Sequence, residues 1–181
     1  MDFANQEAFG ELLRFNSSRH DGKDGLISLD EYIETAKDGQ KDIYYISGPS
    51  REAIEQNPHL EIFRAKGLEV LYLYEPIDEF VMDSLRKFKD FEFKSTENAD
   101  IESLEKFADA GENAPKSQEL SDEEAKDMDR FLKRVREILG DRITEARVSK
   151  RLSQSPSCLV SPDGAITKRS EERRVGKECR S

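Results

Sequence analysis

Few residues in this chain are spaced for covalent chemistry. The two histidines, His20 and His59, stand in a polar loop and at a helix start, with no cysteine or second histidine at ligand spacing. A metal centre of the zinc type needs three or four converging ligands, so both read as ordinary surface or capping residues. No G-x-x-x-x-G-K-[ST] run is present, and no G-x-G-x-x-G follows a strand, which leaves no phosphate cradle. There is no G-x-S-x-G elbow, and nothing pairs a nucleophile with a histidine base. Carboxylates are abundant but unpatterned, the mark of a solvated acidic surface. No catalytic, cofactor-binding or metal-ligating residue is expected.

The chemistry that remains is binding. Residues 76–88 read as a helix, and at about 100° per residue Ile77, Val81, Leu85 and Phe88 form its apolar stripe. Met82 then projects roughly opposite that stripe, with Glu79 and Asp83 on the same outer side and Phe80 at the stripe's edge. A methionine beside an aromatic ring and two carboxylates makes an adaptable, mildly apolar, acidic surface suited to variable protein partners. The same spacing also allows Met82 to pack against a neighbouring domain. Glu79, Phe80, Met82 and Asp83 are the candidate partner-binding residues.

The elements that must carry this helix follow from pattern and punctuation. The chain has 181 residues, 39 acidic against 29 basic, and a formal net charge of −10. Hydrophobic residues make up 35% and charged residues 38%, against about 45–50% and about 25% in a typical globular domain. That thin core implies long solvated helices or a piece of something larger. The acidic balance argues against general nucleic-acid binding, and no run approaches the ~18 apolar residues of a membrane span. Cys158 and Cys179 form neither a disulfide framework nor a metal cluster. Cys158, in the apolar run PSCLV, reads as a small buried hydrophobe.

Along the chain, residues 5–15 have helical spacing, and NSSRHDGKDG reads as a loop. Ser28 and Glu31 form a capping box ahead of a short helix. DIYYIS (42–47) and LEVLYLY (68–74) read as buried strands, separated by two short helical turns split at Asn57-Pro58. Two apolar strands joined through helix predict a parallel pair, hence a small α/β unit. Pro76 opens the next helix, FEFKST offers a third strand, and 101–107 a weak helix. A second capping box, Ser121 with Glu124, opens a helix whose stripe runs Ala125, Met128, Phe131, Leu132, Val135, Ile138, Leu139. Residues 142–150 and 156–160 are short strand candidates. From Arg169 the string RSEERRVGKECRS, five basic and three acidic residues without apolar periodicity, resembles one reading frame of a DNA-sequencing adapter. Residues 169–181 are therefore expected to be non-native, with a natural chain continuing past Lys168.

Four blocks carry a family resemblance. ELLRFNSS, SLDEYIETAKDGQKDIYYISG, HLEIFRAKGLEVLYLYEPIDEF and ILGDRITEARVSKRLSQSPSCLV, in order over about residues 8–165, resemble the 90-kDa heat-shock chaperone family, bacterial HtpG type. The resemblance, with a linker at 111–118 read from loose composition, implies an α/β chain in four parts. Residues 1–40 match a helical connector of the middle domain, and 41–110 its small α/β/α subdomain. Residues 111–118 are a linker, and 119–168 open a truncated α+β C-terminal domain.

The family is an ATP-dependent, cytoplasmic, homodimeric foldase. Its nucleotide site, with ATP and magnesium, belongs to an N-terminal domain that would precede Met1, and its dimerisation helices would follow Lys168. The fragment is thus expected to bind no cofactor and to have no enzymatic activity of its own. Its partners would be partly folded clients, with neither nucleic acid nor membrane among them. The resemblance carries client contact to Glu79, Phe80 and Asp83, with Met82 between them. Where this sequence has Phe80, bacterial relatives often have tryptophan, so an aromatic is kept but the contact differs in detail.

Two other readings make different demands. A free-standing acidic interaction module requires residues 169–181 to be native. A small carboxylate hydrolase requires a deep pocket holding two carboxylates of separated acidity. The helix at 125–139 is further expected to expose its stripe.

Overall fold

The computed structural model describes residues 6–20, 25–110, 121–149, 152 and 154–160. The linker at 111–118 and the tail at 169–181 lie outside the described residues. Chain order begins with α1 (Gln6–Leu12), β1 (Phe15–Ser17), β2 (Leu26–Ile27), α2 (Leu29–Glu34), β3 (Asp42–Ser47) and α3 (Arg51–Glu55). A 3-10 turn (Pro58–Leu60) then leads into α4 (Glu61–Lys66) and β4 (Leu71–Leu73). They are followed by α5 (Pro76–Leu85), β5 (Lys87–Phe88), β6 (Phe91–Ser95), α6 (Ile101–Glu105) and α7 (Asp122–Leu139). The chain is mixed α/β around one six-stranded sheet of order β2-β1-β4-β3-β6-β5.

The expected parallel pair is present. β3 and β4 run parallel with Tyr45 opposite Leu71, Ile46 opposite Tyr72 and Ser47 opposite Leu73. The third strand, β6, runs parallel on the other side of β3. Because strand side chains alternate, the two faces of the sheet build two cores. Tyr44, Ile46, Val70 and Tyr72 pack with Ile54 of α3, Phe63 of α4 and Leu104 of α6. Ile43, Leu71 and Leu73 pack with Leu29 and Tyr32 of α2, Met82 of α5, and Phe88. Both faces are covered, as parallel strands require. The Tyr32 hydroxyl ties α2 to the sheet: it donates to the Glu69 carbonyl at 2.7 Å and accepts from the Tyr44 amide at 3.1 Å.

Local punctuation acts as read. Ser28 Oγ accepts from the Glu31 amide while Glu31 Oε2 accepts from the Ser28 amide at 2.7 Å. The Ser121–Glu124 box repeats the arrangement at the start of α7. Gly67 ends α4 at φ +59°, a left-handed conformation that costs glycine little.

Four expectations need correction. Within the first forty residues β1 and β2 join the main sheet, and β1 pairs with β4. Asn16 and Ser17, read as loop, lie in a strand because it is paired on both sides. Ser18 extends that pairing, its amide donating to the Val70 carbonyl and its Oγ accepting from the Val70 amide. Tertiary pairing here outweighs weak strand propensity.

Met82 does not point outward: it is 1% exposed. The buried arc of α5 runs through Met82 and Leu85, turned by most of a quarter turn from the expected stripe, and it leaves Ile77 63% exposed. The cause is that α5 covers β4 and β6, and the sheet's position selects the arc.

His59 is buried rather than at the surface, 3% exposed, with its backbone amide donating to Asn57 Oδ1. Residues 142–149 and 156–160 form no strand. The α7 stripe is open as expected, with Phe131 and Ile138 both largely exposed.

Candidate functional site

The α5 helix is held firmly at both ends. Pro76 occupies its first position, where a missing amide hydrogen costs nothing, and the Glu75 amide donates to Asp78 Oδ2 at 3.1 Å. At the other end Arg86 adopts φ +55°, and its amide donates to the Met82 carbonyl at 2.9 Å, turning the chain sharply into β5. With Met82 and Leu85 sunk into the core, the rest of the helix surface is presented in a fixed orientation.

That surface holds three of the four residues singled out from sequence. Phe80 is 64% exposed and lies one turn from the equally exposed Ile77, an i, i+3 neighbour on the same side. Asp83 is exposed, while Glu79 is half-buried and turned toward the sheet, where its Oε1 accepts from the Ser47 hydroxyl at the end of β3. Tyr45 stands two residues earlier on the same face of β3. Burial pushes its hydroxyl up to about 12, and the nearby Asp83 and Glu79 carboxylates push the same way. It therefore stays a neutral hydrogen-bonding group at physiological pH. The surface is an apolar pair, Ile77 and Phe80, bordered by two carboxylates with Tyr45 and Ser47 at its base. Met82 supports it from beneath, buried in the core.

Ile77, Tyr45 and Ser47 were not picked out from sequence. Ile77 had a usable signal, its i−3 spacing from Phe80. Tyr45 and Ser47 followed from topology: the helix after β4 must cross β3 to reach β6, and so covers the face on which both project.

Elsewhere the surface chemistry is already committed. A shallow cleft is lined by residues including Arg19, His20, Glu31, Thr35 and Glu69. Within it Glu69 Oε2 accepts from Thr35 Oγ1 at 2.8 Å and lies 3.4 Å from Arg19 Nε. Glu31 is lowered by the Ser28 amide and hydroxyl of its own capping box, the opposite of what a general acid needs. Among the described residues no three His, Cys, Asp or Glu side chains converge as a metal site. No helix among them is long and apolar enough to cross a membrane.

The doubly covered α/β sheet thus displays an apolar and acidic helix surface. The Hsp90 protein family matches residues 1–175. The chain is similar to the chaperone protein HtpG of Nitratidesulfovibrio vulgaris, 51% identical over 166 residues, which cover 92% of this chain and 26% of that protein. It is 50% identical to the chaperone protein HtpG of Oleidesulfovibrio alaskensis over 167 residues, again 92% of this chain and 26% of the relative. With that of Salmonella typhi it shares 42% over 160 residues, 88% of this chain and 24% of the relative. The chain belongs to the Hsp90 family, and it spans about a quarter of the length of these relatives.

Proposed function

We propose that this chain supplies a client-facing wall of an ATP-dependent chaperone, and that it works by binding rather than catalysis. The observation that carries this reading is the outward pair Ile77 and Phe80, both more than half exposed on a helix whose opposite side is locked into the core. An exposed aromatic on a rigid base loses little entropy on binding and can anchor an apolar segment. Glu79 and Asp83 beside it, within a chain of net charge −10, favour segments that carry basic residues and disfavour acidic ones. In this reading residues 41–110 are the small subdomain of the chaperone's middle domain, and 119–168 open its C-terminal domain. ATP and magnesium are handled by a domain outside these residues. In the homodimeric parent, a cytoplasmic protein, closure driven by ATP would change how two such walls face each other.

The test is titration of a fluorescently labelled, permanently unfolded basic protein into the chain and into Phe80→Ala. Loss of a central aromatic contact should weaken binding by about five- to tenfold, and Ile77→Ala with Phe80→Ala by more. Equal affinity for all three proteins, with their circular dichroism unchanged, would exclude α5 as the client surface.

A further inference from the structure

We propose that Glu61 and His59 form an intramolecular docking site for the segment 154–159, a strap that ties the chain beyond α7 back onto the α/β unit. Glu61, the first residue of α4, spends both carboxylate oxygens on successive backbone amides. Oε2 accepts from the Gln154 amide at 2.9 Å and Oε1 from the Ser155 amide at 3.0 Å. Four residues further on, the Leu159 carbonyl lies 2.9 Å from His59 Nε2. A carbonyl oxygen can only accept, so Nε2 carries the proton in this contact. Three hydrogen bonds thus join residues separated by 93, 94 and 100 positions in sequence.

These three contacts engage the strap through its backbone. A carboxylate that receives two neighbouring N–H groups forms charge-assisted bonds, and bends at Gln154 and Pro156 let successive amides face the same side. Leu159, whose carbonyl is held, leaves its own side chain 60% exposed, so apolar burial is not what holds it. The receiving surface is rigid. His59 sits in the 3-10 turn between Pro58 and Leu60, with Leu60 fully in the core and the turn capped by Asn57. Within PSCLV, read as a strand, the Leu159 carbonyl is taken up by the His59 side chain. With the strap docked, the segment after α7 is tied to α4.

Amide hydrogen exchange on the full chain, followed by NMR, tests the strap. The Gln154 and Ser155 amides should exchange at least about tenfold more slowly than an unstructured peptide of the same sequence. Glu61→Gln retains one acceptor but sets an amide donor against the other N–H. It should return both amides to near-peptide rates while the amides of α4 and β4 keep their protection. Gln154→Pro leaves α4 untouched and removes one donor, and it should release Ser155 as well. Peptide-like exchange at 154 and 155 in the parent chain would overturn the proposal. So would protection unchanged in both variants, or a loss in Glu61→Gln that spreads through α4 while Gln154→Pro has no effect.

Discussion

Phe80 and Met82, two residues apart on one helix, are turned to opposite worlds: Phe80 is 64% exposed and Met82 1%. The separation is geometric, since two steps along an α-helix rotate a side chain by about 200°. The sheet beneath α5 takes Met82 into a core with Leu71, Leu73 and Phe88. The two positions should therefore separate stability from binding. Met82→Ala should lower unfolding free energy by about 2–4 kcal/mol, as for a large-to-small core change. Phe80→Ala should stay within about 0.5 kcal/mol. Urea denaturation of both variants decides it, and equal losses would mean that Phe80 is packed after all.

Tyr45 makes stability depend on alkaline pH. Its hydroxyl is raised to about 12 by burial and by Asp83 and Glu79, against about 10 in an unfolded chain. Between those values the unfolded state has released the proton that the folded state still holds. The contribution is fully present below about pH 10 and is lost as pH rises toward 12. Tyr45→Phe should leave stability near neutrality little changed and flatten the decline above pH 10. Denaturant midpoints measured from pH 8 to 11 would show this, and identical slopes for the two proteins would remove Tyr45 as the source.

Gly67 is held by both conformation and space. Its φ is +59°, and a Cβ built there would stand 2.7 Å from the Ala110 Cβ. Gly67→Ala should destabilise by about 1–2 kcal/mol through the left-handed backbone and the contact together. Thermal unfolding gives the value, and a neutral result would show that the 108–110 segment moves aside freely.

Much of this protein was written locally. Ser28 with Glu31 and Ser121 with Glu124 cap their own helices, Gly67 ends α4, and Pro76 starts α5. Each of these interactions closes within about four residues, so neighbouring residue types suffice to specify it. The strand pair β3 and β4 was legible for a related reason. Two apolar runs with a helical crossover between them have few ways to pack, and the parallel register found is among them. The blocks that mark the Hsp90 family are also a property of the string itself. So are Phe80 and Asp83 as surface residues, because their side of α5 is the one the sheet does not cover.

What tertiary structure alone decided concerns partners far apart in the chain. Asn16 and Ser17 become a strand only because β2 and β4 lie on either side. Met82 and Ile77 exchange their expected places because apolar periodicity fixes the spacing of a stripe but not which arc a distant sheet will cover. His59 is buried and Glu61 grips residues 154 and 155 across separations no local pattern encodes. Short-range hydrogen bonding and backbone preference are carried by the residues themselves, whereas burial is a relation between surfaces and exists only once the chain has brought them together.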